Sequence, residues 1–142
     1  MKEKIRKNLA IIVDTIANFD SSLFPLIREI RQGVNLGMPY NKLEKTIKLF
    51  HKREQIFYNK VEQYKDEVLD LFNKEKNIPE KIQGDIEVYF GVVELNFYNI
   101  SELVIRIKEG FPYEEYNKAM KIIYKNMSKL RKDGERLIDR IK

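Results

Sequence analysis

Apolar residues recur in alternating steps of four and three along four separate stretches of this chain. The stretches cover residues 5–30, 43–71, 82–107 and 116–141. A repeat that averages 3.5 residues places its apolar side chains on one face of an α-helix, and that face leaves water only by packing against other helices. The spacing therefore predicts an all-α protein of four long helices, without a β-sheet.

The segment GMPYNKLEKTIK, which begins at Gly37, returns as GFPYEEYNKAMK at Gly110. Glycine just past a helix end adopts the left-handed conformation at no steric cost, and proline is tolerated at the first position of the next helix. Met38 and Phe111 are expected to pack back on the preceding turn. Each segment is interpreted as a tight reversal between two helices, and their likeness indicates a duplicated helical hairpin.

The first apolar series continues through Pro25, a residue that normally breaks or kinks a helix. Because the spacing is the same on both sides of the proline, we predict one helix over residues 3–35 that is kinked near Pro25. Two consecutive helices are the alternative. With short connections, the helices predict an antiparallel up-down-up-down four-helix bundle. The 142 residues are expected to form one domain of two hairpins, residues 3–76 and 79–142.

Composition argues against several classes of site. The chain has no cysteine, which excludes disulfides and thiolate chemistry, and its one histidine is His51. A carboxylate-bridged metal centre in a helical bundle needs Glu-x-x-His on two helices, and the sequence lacks that pattern. It also lacks a glycine-rich phosphate loop and the residues of a nucleophilic triad. We therefore expect a non-enzymatic protein with no metal and no cofactor.

The N-terminal stretch begins with charges, as a signal peptide does. Its apolar run is interrupted by Asp14 and Asn18 and has no small-residue cleavage site. It is interpreted as an amphipathic helix, and no stretch is expected to reach the ~20 apolar residues that span a bilayer. The chain is accordingly expected to be cytoplasmic, without a membrane partner.

Two polar residues, Glu54 and Asn96, occupy positions of the apolar series where leucine or isoleucine is expected. Counted from the connection near Ile78, Glu54 should lie level with Ser101. Such residues form either a hydrogen-bonded polar core that fixes the register of the helices or one wall of a small-ligand pocket, with Tyr58 nearby.

The third helix has a second apolar face outside its main series. Gly84 and Gly91, seven residues apart, lie on the same outer side. A helix that is apolar nearly all round is usually buried all round. We expect this face to form a protein interface, and a kinked first helix that covers it is the alternative. The members of the face are Val88, Val92, Leu95, Tyr98 and Ile105.

The last helix carries a row of basic residues in steps of three and four. Residues 112–142 contain nine basic and five acidic side chains, whereas residues 74–111 contain five and seven. The row is either a solvated helix face or a ridge that binds nucleic acid. Because few aromatic residues are available for base stacking, such a ridge would contact the phosphates. Its members are Lys118, Lys121, Lys125, Lys129, Lys132, Arg136 and Arg140.

The sequence therefore favours a non-enzymatic helical-bundle module that self-associates or docks a protein partner through residues 79–109. A sequence-nonspecific nucleic-acid-binding protein that uses the basic row is the alternative. A third possibility is an enzyme built on Glu54 with Glu62 and Asp66, although those two acids, at four-residue spacing, are typical of a solvated outer face.

Overall fold

Four long α-helices make up the computed structural model, which describes residues 2–110 and 112–141. They are α1 (Lys2–Asn35), α2 (Tyr40–Phe72), α3 (Glu80–Lys108) and α4 (Tyr113–Arg140), and no strand occurs in the described residues. The helices pack against one another, which confirms the all-α prediction. α2 ends at Phe72, earlier than the expected residue 76, because residues 73–79 form the connection to α3.

The core is centred on α1. The ring of Phe19 lies 6.2, 5.5 and 4.9 Å, centroid to centroid, from the rings of Phe24, Phe57 and Phe97. α1 packs most extensively against α2 and also contacts α3 and α4, whereas contact between α2 and α3 is slight. Within the described residues α2 and α4 do not meet. The first helix is therefore the one that joins the others.

α1 runs without interruption through Pro25, so the alternative of two consecutive helices is wrong. Proline supplies no N–H to the preceding turn and its ring crowds the carbonyl there. Pro25 is exposed, and Arg53 of α2 donates from Nη1 to the carbonyl of Ser22 at 3.3 Å. The carbonyl that loses its helical donor to Pro25 is that of Ser21, so this contact lies one residue away from it.

Both repeated turns use glycine with a positive φ, +68° at Gly37 and +87° at Gly110. The amide of Met38 donates to Gly33 at 2.9 Å, which closes the end of α1. Pro39 and Pro112 have extended ψ angles and precede the first helical residue, one position earlier than the sequence analysis expected. An N-cap residue has this conformation because only its carbonyl takes part in the helix. Phe111 lies outside the described residues.

The two turns lie at one end of the molecule, and each tyrosine that follows a turn is covered by a cation from the other half of the chain. Lys108 lies 5.4 Å from the ring centroid of Tyr40, and Arg31 lies 5.3 Å from that of Tyr113. Elsewhere, Asn8 near the start of α1 donates to Glu67 near the end of α2 at 3.1 Å.

By length and hydropathy, α1 is the one helix of the described chain that would suit a membrane span. This differs from the expectation that no stretch does so. The apolar window of α1 is 53% buried inside the structure, and core helices of soluble proteins have the same properties.

Candidate interaction surface

The outer face of α3 (Val88, Val92, Leu95, Tyr98 and Ile105) is exposed to solvent. Val88 is 68% exposed, Tyr98 60% and Leu95 56%. The alternative that α1 covers this face is therefore wrong. α1 packs on the opposite, inner side of α3, where Val93, Phe97 and Ile100 are buried.

A groove of about 550 Å³ runs beside the outer face, between α3 and α4. Val88, Val92 and Leu95 line it from α3, and Tyr89 and Leu130 lie below them. The groove is therefore apolar at its base and along one wall. We call it the α3/α4 groove.

A second recess of about 350 Å³ continues the α3/α4 groove towards the turn at Gly110. Asn99 and Asn126 line both recesses, so the depression follows α3 and α4 over much of their length. Ile122 of α4 lines the second recess and is 60% exposed. The sequence analysis missed Ile122, although an isoleucine outside the four-three series was the available signal.

Two contacts hold the walls of the α3/α4 groove together. The hydroxyl of Tyr89 donates to the carbonyl of Leu130 at 3.0 Å, and Arg140 pairs with Asp85 at 2.8 Å. Burial, and the nearby charge of Asp133, raise the pKa of Tyr89, so its hydroxyl remains a donor. These contacts align α4 with α3 and fix the depth of the groove.

All seven members of the basic row on α4 are exposed. Lys129, Arg136 and Arg140 form the α4 rim of the α3/α4 groove. Arg136 lies 3.8 Å from Asp133 and Arg140 is bound to Asp85. The apolar face of α3 and the basic row of α4, which the sequence analysis treated as separate surfaces, border the same groove.

Glu54 and Asn96, the two polar residues of the apolar series, lie on different sides of α3. Asn96 lines the α3/α4 groove and donates to the carbonyl of Val92 in its own helix at 2.8 Å. Glu54 instead accepts a hydrogen bond of 2.5 Å from Ser101. Because five residues of an α-helix correspond to ~140° of rotation, Asn96 and Ser101 point to opposite flanks of α3. The two residues do not form one polar zone.

The cleft between α2 and α3 contains ionisable side chains that are already paired. The side chain of Glu54 is only 15% exposed, and its burial raises its pKa, against the effect of the hydrogen bond from Ser101. Lys65 bonds both Glu62 and Glu94, and its hydrogen bond lowers the pKa of Glu94. Among the described residues, no group of three histidine or acidic side chains is placed to hold a metal ion.

No family model, curated protein or solved structure gives a significant match to this chain.

Proposed function

We propose that the chain is a cytoplasmic, non-enzymatic interaction module that self-associates or docks a protein partner through the outer face of α3. The observation that carries this proposal is the row of exposed apolar side chains on α3, of which Val88, Val92 and Leu95 line the α3/α4 groove. Large exposed apolar patches are uncommon on monomeric proteins and mark interaction sites. A groove with an apolar base and a polar rim has the composition of a protein interface.

The proposed scaffold is one domain, an antiparallel up-down-up-down bundle of two related hairpins. Several contacts support this arrangement. Asn8 at the start of α1 meets Glu67 at the end of α2, and Asp85 at the start of α3 meets Arg140 at the end of α4. The reciprocal stacking of cations on Tyr40 and Tyr113 is consistent with a pseudo-two-fold axis between the hairpins.

The proposal omits catalysis because the carboxylates of the α2/α3 cleft already have partners. Ser101 donates to Glu54, and Lys65 holds Glu62 and Glu94. These contacts favour a structural role for the cleft. Asp66 is exposed on α2, as expected for an ordinary surface charge.

The proposal is tested by light scattering on the purified protein over a range of concentrations. We expect an oligomer that the double substitution Val92→Glu and Leu95→Lys converts to a monomer, with unchanged far-ultraviolet circular dichroism. Leu49→Glu with Ile56→Lys is the matched control, because these two residues are exposed apolar side chains of α2. Self-association through α3 is wrong if both double variants retain the wild-type mass.

A second candidate function is sequence-nonspecific binding of nucleic acid by the basic row of α4. The observation that favours it is that all seven side chains are exposed. Of these seven, only Arg136 and Arg140 form ion pairs with described residues. Lysine and arginine in a line neutralise phosphates but do not read base edges.

Affinity for duplex DNA measured against salt concentration tests this second function. Four or five simultaneous phosphate contacts predict a slope of log affinity against log salt of about −4. Replacing Lys125, Lys129 and Arg136 by glutamate should abolish binding with little change in melting temperature, because these side chains are exposed. Failure of the wild-type protein to bind DNA at low salt would leave the row as a solvated helix face.

A further inference from the structure

We infer that the occupant of the α3/α4 groove is a second copy of this chain, with α3 of each copy lying in the groove of the other and parallel to its counterpart. The inference rests on the proposed function and specifies its partner. The distribution of charge on α3 and α4 and the alignment of these two helices support this arrangement.

The alignment follows from two contacts within one copy. Tyr89 of α3 is bonded to Leu130, and Asp85 is paired with Arg140. The two helices run in opposite directions, so residues further along α3 lie level with residues earlier in α4. On this alignment Glu87 lies level with Arg136, and Glu94 lies level with Lys129. A two-fold axis parallel to the helices does not shift a residue along the helix direction. Glu87 of one copy is therefore also level with Arg136 of the other, and Glu94 with Lys129.

The acidic flank of α3 points away from its own α4. Glu87 and Glu94 are seven residues apart and share one side of the helix, and Glu94 on that side bonds Lys65 of α2. When α3 enters the groove of a second copy, this side is turned towards the α4 of that copy. Glu87 of one copy then approaches Arg136 of the other, and Glu94 approaches Lys129.

An antiparallel pairing of the two α3 helices lacks this complementarity. A two-fold axis perpendicular to the helices places α4 of one copy beside α4 of the other. The basic row of one copy, in which Lys125, Lys129 and Arg136 are exposed, would then run beside the basic row of the other. Like charges at close range destabilise an interface, so charge selects the parallel arrangement.

Gly91 is consistent with a helix in this position. It is exposed in the middle of α3, and a Cβ built on it would meet no atom within 4 Å. Glycine inside a helix costs roughly 0.5–1 kcal/mol relative to alanine, and nothing within one copy requires it there. A Cβ built on Gly84 would likewise meet no atom within 4 Å. Close approach of the second copy's α4 gives both glycines a structural role.

Disulfide cross-linking distinguishes the two arrangements, because the natural chain has no cysteine. In a parallel pair each contact residue of α3 faces its own counterpart, so Val88→Cys and Asn99→Cys should both give covalent dimers on mild oxidation. An antiparallel pair brings at most one of the two positions onto its counterpart. Gln63→Cys on the exposed side of α2 is the control and should stay monomeric.

Charge exchange provides the second measurement. Glu87→Arg and Arg136→Glu should each weaken the dimer about tenfold, and the variant with both changes should regain most of the affinity. The inference is wrong if the double change is additive and the two cysteine variants do not both cross-link. If the outer-face variant Val92→Glu/Leu95→Lys is nevertheless monomeric and the wild type dimeric, the proposed function stands with another geometry. A wild type that stays monomeric at high micromolar concentration rejects the second copy altogether.

Discussion

Gly134 lies where α4 packs against both α1 and α3. A Cβ built on it would lie 2.5 Å from Cγ2 of Val13 and 2.7 Å from the hydroxyl of Tyr89. Alanine favours a helix by up to ~1 kcal/mol over glycine, but overpacking of a core costs about 1–3 kcal/mol. We expect Gly134→Ala to lower the free energy of unfolding in urea. An increase would mean that Tyr89 moves away from Leu130 at little cost.

The stability of the protein should depend on the ionisation of Glu54. Burial raises the pKa of this carboxyl from its ordinary value of 4.5, so the folded state binds the proton more tightly than the unfolded state. Stability is therefore gained at low pH and lost as pH rises from 4.5 through the raised value. We expect Glu54→Gln to gain stability relative to wild type as pH rises from 4.5 through the raised pKa of Glu54, measured by urea denaturation.

The matched control for this pH series is Glu135→Gln, since Glu135 is an exposed carboxyl of α4. Its stability curve should run parallel to that of the wild type. If the Glu54→Gln curve also runs parallel, Glu54 has no part in the pH dependence.

Replacement of Glu54 by leucine tests whether the carboxylate has a structural role. The apolar side chain removes the cost of burying a charge, so we expect a change in unfolding free energy between zero and an increase of ~1 kcal/mol. The hydroxyl of Ser101, which is only half-buried, can turn to water. A loss beyond ~2 kcal/mol would instead show that Ser101 depends on Glu54 as its acceptor.

At the scale of one helix, Pro25 is a local defect in α1. Alanine would restore the missing N–H and remove the ring from the preceding turn. Because Pro25 is exposed and its ring fills no core space, we expect Pro25→Ala to stabilise the protein by about 1–3 kcal/mol in urea denaturation. If stability does not rise, α1 accommodates the proline at no net cost.

Gly91 of α3 allows helix stability and association to be measured in one variant. Gly91→Ala should stabilise the isolated helix bundle by about 0.5–1 kcal/mol, since the added methyl group meets no atom of the same chain. The same methyl group lies where the second copy should approach, so the dimer should weaken. Thermal melts at low concentration and light scattering at high concentration measure the two effects. An increase in both the melting temperature and the affinity of the dimer would show that no helix packs closely on Gly91.

For the whole molecule, self-association should make the melting temperature depend on protein concentration. A contact made only in the folded state raises stability by mass action. We expect the wild-type melting temperature to rise with concentration and that of Val92→Glu/Leu95→Lys to remain constant. If both stay constant, the exposed apolar face does not contribute to stability through a second copy.

The helices were largely predictable from the sequence because one periodic signal determines them. The spacing placed a helix over residues 3–35 and another over 79–109, against Lys2–Asn35 and Glu80–Lys108 in the structure. The groove was not predictable, because it depends on how α3 and α4 are rotated about their own axes. That rotation is fixed by pairs such as Tyr89 with Leu130, which are distant in sequence. The position of Asn96 on the groove side of α3 was missed for the same reason, whereas the expected level of Glu54 with Ser101 is confirmed by their hydrogen bond.

The central position of α1 has a consequence for the order in which the molecule opens. α1 contacts every other helix, and its side chains Ile12, Phe19 and Ile27 are fully or almost fully buried. Backbone amides in the middle of α1 should therefore exchange with deuterium only on global unfolding. The slight contact between α2 and α3 allows that seam to open first. Exchange in the facing parts of α2 and α3 should then be faster than in α1. The cleft beside Glu54 would open transiently while the rest of the bundle stays closed.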